Sequence, residues 1–196
     1  MKQAERLSSR ATLQPAATAG KAPLSDIATL RRRARENIGL GAVTEGYAGD
    51  RKAVIGMLNE ALATELVCVL RYKRHYFMAK GIHADPVKGE FLAHANEEMG
   101  HADQLAKRII ELGGEPNFSP DGLSGRSHAE YVEGDTLKSM ITENLIAERI
   151  AVESYREMVA YLAEADPTTQ RLLKEILTVE EEHADDLASL LEGLKV

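Results

Sequence analysis

The tetrapeptide pattern Glu-x-x-His occurs twice in the chain, once beginning at Glu98 and once at Glu180. Side chains three positions apart share one face of an α-helix, so each copy presents a carboxylate and an imidazole, from His101 and His183, to the same side. Both groups are common ligands of transition metals. The pattern therefore predicts metal ligands on two helices.

A single glutamate precedes each copy at a similar distance. Glu65 lies 33 residues before Glu98, and Glu148 lies 32 residues before Glu180, so the two halves of the chain are offset by 83 and 82 positions. A helical bundle in which two helices each supply a Glu, and two others each supply a Glu-x-x-His, can hold a pair of iron or manganese ions. The repeat predicts such a dinuclear centre from these six residues.

Four long helices are needed to position the six side chains. The hydrophobic pattern and the turn residues predict helices at about 50–80, 85–112, 135–165 and 167–194. Asp166 and Pro167 have the types expected at the N-cap and first position of the last helix. Residues 114–134 are too many for a hairpin turn and predict a crossover along the bundle, with a short helix near residues 127–131.

Composition supports one helical domain without a membrane span. Apolar residues make up 44% of the 196 residues, which is enough for a single core, and we expect no apolar run of membrane-spanning length. A single cysteine cannot build a disulfide framework, so a cytoplasmic location is expected.

Charge is divided unevenly along the chain. Residues 1–35 carry a net charge of +6 although the whole chain carries −7, so the remainder carries −13. We expect residues 1–48 to form a basic, partly disordered extension, with a short helix capped by Ser25 that contains the arginine run 31–35. Residues 49–196 are expected to form the bundle. The basic extension predicts non-specific binding to DNA phosphates. Alternatively, the arginines of residues 31–35 are solvated or pack on an acidic surface.

Three segments resemble the ferritin-like superfamily, in particular bacterioferritins and the bacterioferritin-like branch of the Dps mini-ferritins. They are residues 59–66, which resemble a bacterioferritin first helix, and residues 97–103 and 109–117, which resemble its second helix. The resemblance extends over about residues 50–196. It implies an all-α fold, a ferritin-like four-helix bundle with a long crossover between helices two and three.

The resemblance also implies roles for individual residues. One iron would have Glu65 and His101 as terminal ligands, and the second would have Glu148 and His183. Further roles are implied as follows: Glu98 and Glu180 bridge the two ions, Tyr72 is a hydrogen-bonding neighbour or one-electron donor, and Met99 is at the position of a haem b ligand.

An assembly of 12 subunits is expected. Bacterioferritins of 24 subunits carry a fifth short helix, whereas only 13 residues follow His183 here. The smaller shell resembles that of Dps proteins, yet the ligand set lies within one subunit as in bacterioferritins. A 24-subunit assembly, in which haem at Met99 would be more readily expected, is the alternative.

Two further residues near the predicted ligands have open interpretations. Cys68 lies one helical turn beyond Glu65, where it is either a thiol near the metals or a small buried hydrophobe. His94 lies four positions before Glu98 and is either an entry-path or neighbouring residue of the centre or a partly exposed helix histidine.

Iron storage is the function that these expectations favour. The protein would act as a ferroxidase, which oxidises Fe²⁺ with O₂ or H₂O₂ and stores Fe³⁺ in an oligomeric cage. A di-manganese catalase or a di-iron oxygenase would use the same kind of ligand set. A protein that mainly compacts DNA is the third class, supported by the basic extension alone.

Overall fold

The computed structural model describes residues 24–194, and its regular elements are all helical, which confirms the predicted fold class. Of the predicted extension at residues 1–48, residues 1–23 lie outside the described residues. The elements are α1 Ile27–Arg33, a 3₁₀ turn Ile38–Leu40, α2 Arg51–Met78, α3 Ala84–Glu111, α4 Leu123–Arg126, α5 Leu137–Leu162 and α6 Pro167–Gly193.

Side-chain caps fix where three of the long helices begin. The Asp50 carboxylate accepts a hydrogen bond from the Ala53 amide at the start of α2. Thr136 forms a reciprocal capping box with Ser139 at the start of α5. Asp166 caps α6, with Pro167 at its first position, as predicted.

Two predicted helix starts differ from the structure by one position. The expected cap of the N-terminal short helix was Ser25, but the carboxylate of Asp26 accepts from the Thr29 amide and caps α1. The second long helix was expected to begin at Asp85; it begins one residue earlier, with His83 at the N-cap and no side-chain cap.

The bundle consists of two helical hairpins, α2 with α3 and α5 with α6, joined by the predicted crossover. The crossover follows α2 along its length. The amide of Asn117 donates to the Asn59 side chain at 2.7 Å, and the amide of His128 donates to the Thr64 hydroxyl at 2.9 Å.

The short helix within the crossover is α4 and not the predicted segment at 127–131. Backbone groups of several residues beyond α4 form hydrogen bonds with side chains of α2. Arg71 donates to the Glu130 carbonyl at 2.9 Å, and the His75 ring is 3.1 Å from the Val132 carbonyl. These contacts hold the segment in a non-helical conformation.

Two apolar clusters lie at opposite ends of the bundle. One contains Leu58, Leu105 and Leu173, and the other contains Phe91 and Leu187. The six predicted ligands lie between the two clusters along every helix. The apolar clusters therefore hold a buried polar layer at mid-height.

The sequence was expected to contain no apolar run of membrane-spanning length, but helix α2 contains one. By length and composition alone it is apolar enough to cross a membrane, and 56% of its most apolar window is buried inside the bundle. Glu65 and Arg71 are also buried on this helix. α2 is therefore the core helix of the bundle, since such a helix can be as long and as apolar as a membrane span.

The segment before α2 makes contact with the bundle. Val43 and Tyr47 pack against the first apolar cluster, and the Tyr47 hydroxyl donates to Asp166 at 2.9 Å. Helix α1, in contrast, has no buried residue. Packing on the bundle thus begins a few residues before the predicted boundary at 48.

Candidate metal centre

The structure brings the six predicted ligands together at the centre of the bundle. Each is at most 5% exposed. Their ligand atoms form two groups of four, and both groups share Glu98 and Glu180. Glu65 and His101 complete the first group. The second group is completed by Glu148 and His183.

The first group surrounds one nitrogen of His101. Its Nδ1 atom lies 2.9 Å from an oxygen of Glu180, 3.3 Å from one of Glu98 and 3.6 Å from one of Glu65. Three carboxylates from three helices therefore converge on one imidazole nitrogen.

The second group repeats this arrangement around His183. Its Nδ1 atom lies 3.5 Å from an oxygen of Glu98, 3.8 Å from one of Glu180 and 3.9 Å from one of Glu148. The repeat seen in the sequence is thus a repeat in space, with the two Glu-x-x-His glutamates in the middle.

Several of these atoms have no hydrogen bond to any described residue, although they are buried. They are Glu98 Oε1, Glu148 Oε2, both carboxylate oxygens of Glu180, and His183 Nδ1. A buried polar atom without a partner destabilises the fold by about 1–3 kcal/mol, and more when it is charged. All of these atoms face the same small volume. The donor set therefore fits bound cations, which would satisfy every one of these atoms.

Burial and mutual repulsion disturb the protonation of the carboxylates. Burial, together with the charge of Glu98, raises the pKa of Glu65 to about 8. Burial and the charges of Glu98 and Glu180 raise the pKa of Glu148 well above its ordinary value. Glu180 differs, because the nearby His101 and His183 lower its pKa in spite of burial and the charge of Glu65.

The two histidines respond in the opposite direction. Burial opposes their charged forms, but the close carboxylates, Glu180 first among them, raise the pKa of His101 to about 12 and that of His183 to about 11. Without a metal, protons on the imidazoles balance part of the carboxylate charge. A cation that binds here must displace these protons.

Two tyrosines hold the terminal glutamates from across the bundle. The Tyr72 hydroxyl of α2 is hydrogen-bonded to Glu148 of α5, and the Tyr155 hydroxyl of α5 is hydrogen-bonded to Glu65 of α2. Burial, followed by the carboxylate charges, raises the pKa of both phenols well above the ordinary value. Sequence reasoning missed Tyr155, although it follows Tyr72 by the same 83 positions that separate Glu65 from Glu148.

His94 and Glu97 lie beside the second group. His94 is buried, so its interpretation as a partly exposed histidine is wrong. Its Nδ1 is 3.1 Å from the Tyr72 hydroxyl, and its ring stacks on His183 at 3.9 Å between centroids. Burial, aided by His183, lowers the pKa of His94 to about 4. Glu97 accepts a hydrogen bond from Nε2 of His183 at 2.7 Å, which turns Nδ1 toward the centre.

Met99 and Cys68 lie outside the two groups. Met99 is 40% exposed on α3, and haem binding there stays a prediction. Cys68 is buried, and burial raises the pKa of its thiol well above the ordinary value. Its sulfur accepts a hydrogen bond from Arg71 at 3.5 Å. These contacts agree with its interpretation as a small core residue.

A pocket of about 460 Å³ reaches the centre from the side of α3 and α6. His101 and His183 lie in its wall. Its other polar residues are mostly acidic, namely Glu90, Glu97, Glu182 and Asp186. The larger groove of about 760 Å³, lined by residues of α2 and α5, contains none of the six predicted ligands.

Comparison of sequences gives consistent relatives. The family model described as the ferritin-like domain matches residues 55–196. The chain is 34% identical to a bacterioferritin of Rhodobacter capsulatus over 142 residues, which is 71% of this chain and 82% of that protein. It is 30% identical to a bacterioferritin of Desulfovibrio desulfuricans over 140 residues, covering 70% of this chain and 74% of the relative.

Comparison of structures gives the same fold. A dodecameric thioferritin, the bacterioferritin-related protein of Bacteroides fragilis, superposes with a TM-score of 0.73 at 33% identity, covering 76% of this chain and 89% of that one. Dps from Thermosynechococcus elongatus superposes with a TM-score of 0.69 at 22% identity, covering 71% and 90%, and supports the fold alone.

Proposed function

The chain belongs to the family of ferritin-like domains, and from this membership we propose that it is an iron-storage protein with ferroxidase activity. Fe²⁺ is the substrate, O₂ or H₂O₂ is the oxidant, and Fe³⁺ is stored. Each oxidant molecule takes two electrons, one from each of two Fe²⁺ ions. The single observation that carries the proposal is the pair of buried four-residue groups that share Glu98 and Glu180.

Each residue of the centre has a definite part in this proposal. Glu65 and His101 hold one iron, Glu148 and His183 hold the second, and two carboxylates bridge them. Hard carboxylate oxygens stabilise Fe³⁺, while the imidazoles retain affinity for Fe²⁺. Two bridging glutamates keep the ions close enough for one oxidant to reach both.

Tyr72 is proposed to orient Glu148 and to be a one-electron donor close to the ions. Its buried hydroxyl is hydrogen-bonded to that glutamate, which is itself a proposed ligand of the second iron. Tyr155 is in the same relation to Glu65 and orients the first terminal ligand.

The acidic pocket supplies a route to the centre. Its wall contains both ligand histidines, and its carboxylates attract cations. An oxygenase that acts on an organic substrate would need an apolar cavity beside the metals, and the pocket that reaches these histidines is rimmed by acids instead. A di-manganese catalase uses similar ligands; it would release O₂ from H₂O₂ without forming an iron mineral.

Removal of the shared carboxylates tests the proposal. Glu98→Ala and Glu180→Ala are each expected to abolish rapid Fe²⁺ oxidation, because each substitution removes a ligand from both metal positions. Stopped-flow absorbance after anaerobic Fe²⁺ loading measures the rate. Glu175→Ala, an exposed residue of α6, is the control and should keep the parental rate. Rapid oxidation in the Glu98→Ala/Glu180→Ala double variant would refute the assignment.

A homo-oligomeric cage of 12 subunits is proposed for storage. The support is the likeness to the dodecameric thioferritin of Bacteroides fragilis at 33% identity. Native mass spectrometry should give about twelve times the chain mass of 21.5 kDa. A mass near 24 chains would contradict this prediction and would raise the case for haem at Met99.

Binding to DNA is a second proposal, restricted to residues 1–35. Within the described part, α1 is exposed and ends in Arg31, Arg32 and Arg33, of which Arg32 is paired with Glu45 at 2.9 Å. Many copies of residues 1–35 on one particle would bind DNA phosphates with high avidity at low salt. Gel retardation with and without residues 1–35 is the test, and full-length particles that fail to shift DNA at low salt would refute it. The expected cytoplasmic location is likewise a proposal.

A further inference from the structure

A third group of possible ligands lies beside the centre and shares no residue with the six ligands. Nε2 of His94 is 3.9 Å from a carboxylate oxygen of Glu90 and 3.9 Å from one of Asp186. We propose that these three residues bind a third divalent cation at the mouth of the acidic pocket. The proposal rests on the proposed function, because it assumes that the dinuclear centre holds its metals.

The hydrogen-bond network around Tyr72 determines which nitrogen of His94 is free. With Glu148 ionised, as metal ligation requires, the Tyr72 hydroxyl donates its one proton to Glu148. The phenol oxygen can then only accept from His94, so Nδ1 of His94 carries the proton. Nε2 is left with a lone pair.

This lone pair faces two carboxylates, which offer lone pairs only. Nε2 forms no hydrogen bond with any described residue, and the His94 ring is only 2% exposed. Three acceptors that converge without a donor repel one another. A cation at their centre removes the repulsion, and an imidazole with two carboxylates suits a divalent ion such as Fe²⁺.

The site is open enough to be filled from solution. The side chains of Glu90 and Asp186 are 46% and 63% exposed, and both line the pocket that reaches His101 and His183. They are flexible surface carboxylates, and only His94 is buried. His94 stacks on His183, a proposed ligand of the second metal position, with 3.9 Å between the ring centroids.

A different grouping of the same histidine has a simpler explanation. His94, Glu97 and His183 also lie close enough to share an ion. Glu97, however, already accepts a hydrogen bond from His183, which is the usual support for a ligand histidine. A metal there would compete with this contact. We therefore assign the third ion to Glu90, His94 and Asp186.

The third site has no counterpart in the other half of the repeat. The offset of 82 places Leu172 and Ile176 at the positions equivalent to Glu90 and His94, and Gln104 at the position equivalent to Asp186. None of these side chains is a good ligand for a divalent cation. The two groups of the dinuclear centre are nearly symmetric, whereas the third group lies on one side only, next to His183.

Cobalt is a suitable probe because Co²⁺ is not oxidised in air under ordinary conditions and scatters anomalously. Crystals of the full-length protein soaked in Co²⁺ should show three ions per chain, two at the six-residue centre and one at His94. The variant Glu90→Gln/Asp186→Asn should keep the first two ions and lose the third. Titration calorimetry in solution should show the same change, from three ions to two.

The matched control removes two charges from the same helices. Asp103→Asn/Asp185→Asn changes exposed residues of α3 and α6 that make no ion pair within the described part of the chain, and it should still bind three ions. Two ions in the wild type, or a third ion that survives Glu90→Gln/Asp186→Asn, would overturn the third site alone. A six-residue centre that takes no Co²⁺ would count against the proposed function as well.

Discussion

At the scale of single residues, two tyrosine hydroxyls bind glutamates from across the bundle and differ in one hydrogen-bonding neighbour. Tyr155 is hydrogen-bonded to Glu65, whereas Tyr72 is hydrogen-bonded to Glu148 and also lies 3.1 Å from His94. Their hydrogen bonds to the two glutamates repeat each other. A comparison of the two phenols therefore separates the orientation of a ligand from any role that needs His94.

Removal of each hydroxyl gives a testable difference. Tyr155→Phe leaves one oxygen of Glu65 without its donor, and we expect the Co²⁺ affinity of the first metal position to fall about 10-fold, as for other neighbours of metal ligands. Tyr72→Phe should weaken the second position to a similar extent and should also weaken the third ion, because Nδ1 of His94 loses its acceptor.

Titration calorimetry with Co²⁺ measures both effects. Phe77→Leu, which changes an exposed aromatic residue of α2, is the control and should bind as the wild type does. Identical effects of the two Tyr→Phe variants on all three ions would contradict the assigned contacts.

Much of this local arrangement was predictable from residue spacing, but not all of it. The six ligands follow from the two Glu-x-x-His copies and the glutamates upstream, because helical spacing fixes which side chains share a face. Tyr155 was predictable from the same offset. The contacts of His94 with Tyr72 and Asp186 were not, because these residues lie on other helices and the third group has no repeated pattern in the sequence.

At the scale of elements, a buried arginine side chain connects the crossover to the bundle. Arg71 is fully buried in α2, where its Nε donates to the Asn144 side chain of α5 at 2.8 Å and its Nη1 donates to the Glu130 carbonyl. The ring of His75 is 3.1 Å from the same Asn144 oxygen. The Asn144 oxygen thus joins α5 to α2, and Arg71 joins both to the crossover.

Asn144→Ala is expected to destabilise the protein by about 3 kcal/mol. The substitution leaves a buried guanidinium without one of its acceptors, and such losses are larger than those of neutral hydrogen bonds. Guanidinium chloride unfolding of the metal-free protein measures the change. The neighbouring Glu143→Ala should stay within about 0.5 kcal/mol of the wild type, and an equally small effect of Asn144→Ala would refute the structural role.

The sequence predicted the long helices well and the crossover less well. Asp50, Asp166 and Pro167 mark helix starts through local backbone chemistry, so their neighbourhoods are enough to place them. The conformation of residues 127–131 depends instead on Thr64 and Arg71, more than 50 residues away. Local patterns contain no information about such partners.

At the scale of the whole molecule, the metal-free centre links stability to pH. The pKa of Glu65 is raised to about 8, that of His101 to about 12 and that of His183 to about 11. The folded state therefore holds protons that the unfolded chain has already released at neutral pH. Their contribution is complete below the unfolded values and is lost as pH rises toward the folded values.

The metal-free protein should accordingly lose stability between pH 7 and pH 8.5. Both histidines contribute throughout this window, and Glu65 contributes up to about pH 8. The histidines with lowered pKa, His75 and His94, act in the opposite direction but finish titrating near or below pH 7. Co²⁺ should abolish most of the pH dependence, because metal-bound ligands hold no protons in the folded state.

Chemical unfolding at several pH values, with and without Co²⁺, checks this prediction. Glu98→Ala offers a further comparison. It removes one of four buried carboxylates, so its metal-free form should be more stable than the wild type at every pH of the series. Stability of the metal-free wild type that rises from pH 7 to pH 8.5 would contradict the linkage.

The position of the centre between the two hairpins has a consequence for reassembly from fragments. The α2/α3 hairpin contains Glu65, Glu98 and His101, and the α5/α6 hairpin contains the other three ligands, so neither half owns a complete site. If the chain were cut within the crossover, each fragment could rebuild a full coordination sphere only by capturing the other. Divalent metal would then hold the two fragments of the split protein together, and its removal by a chelator would release them.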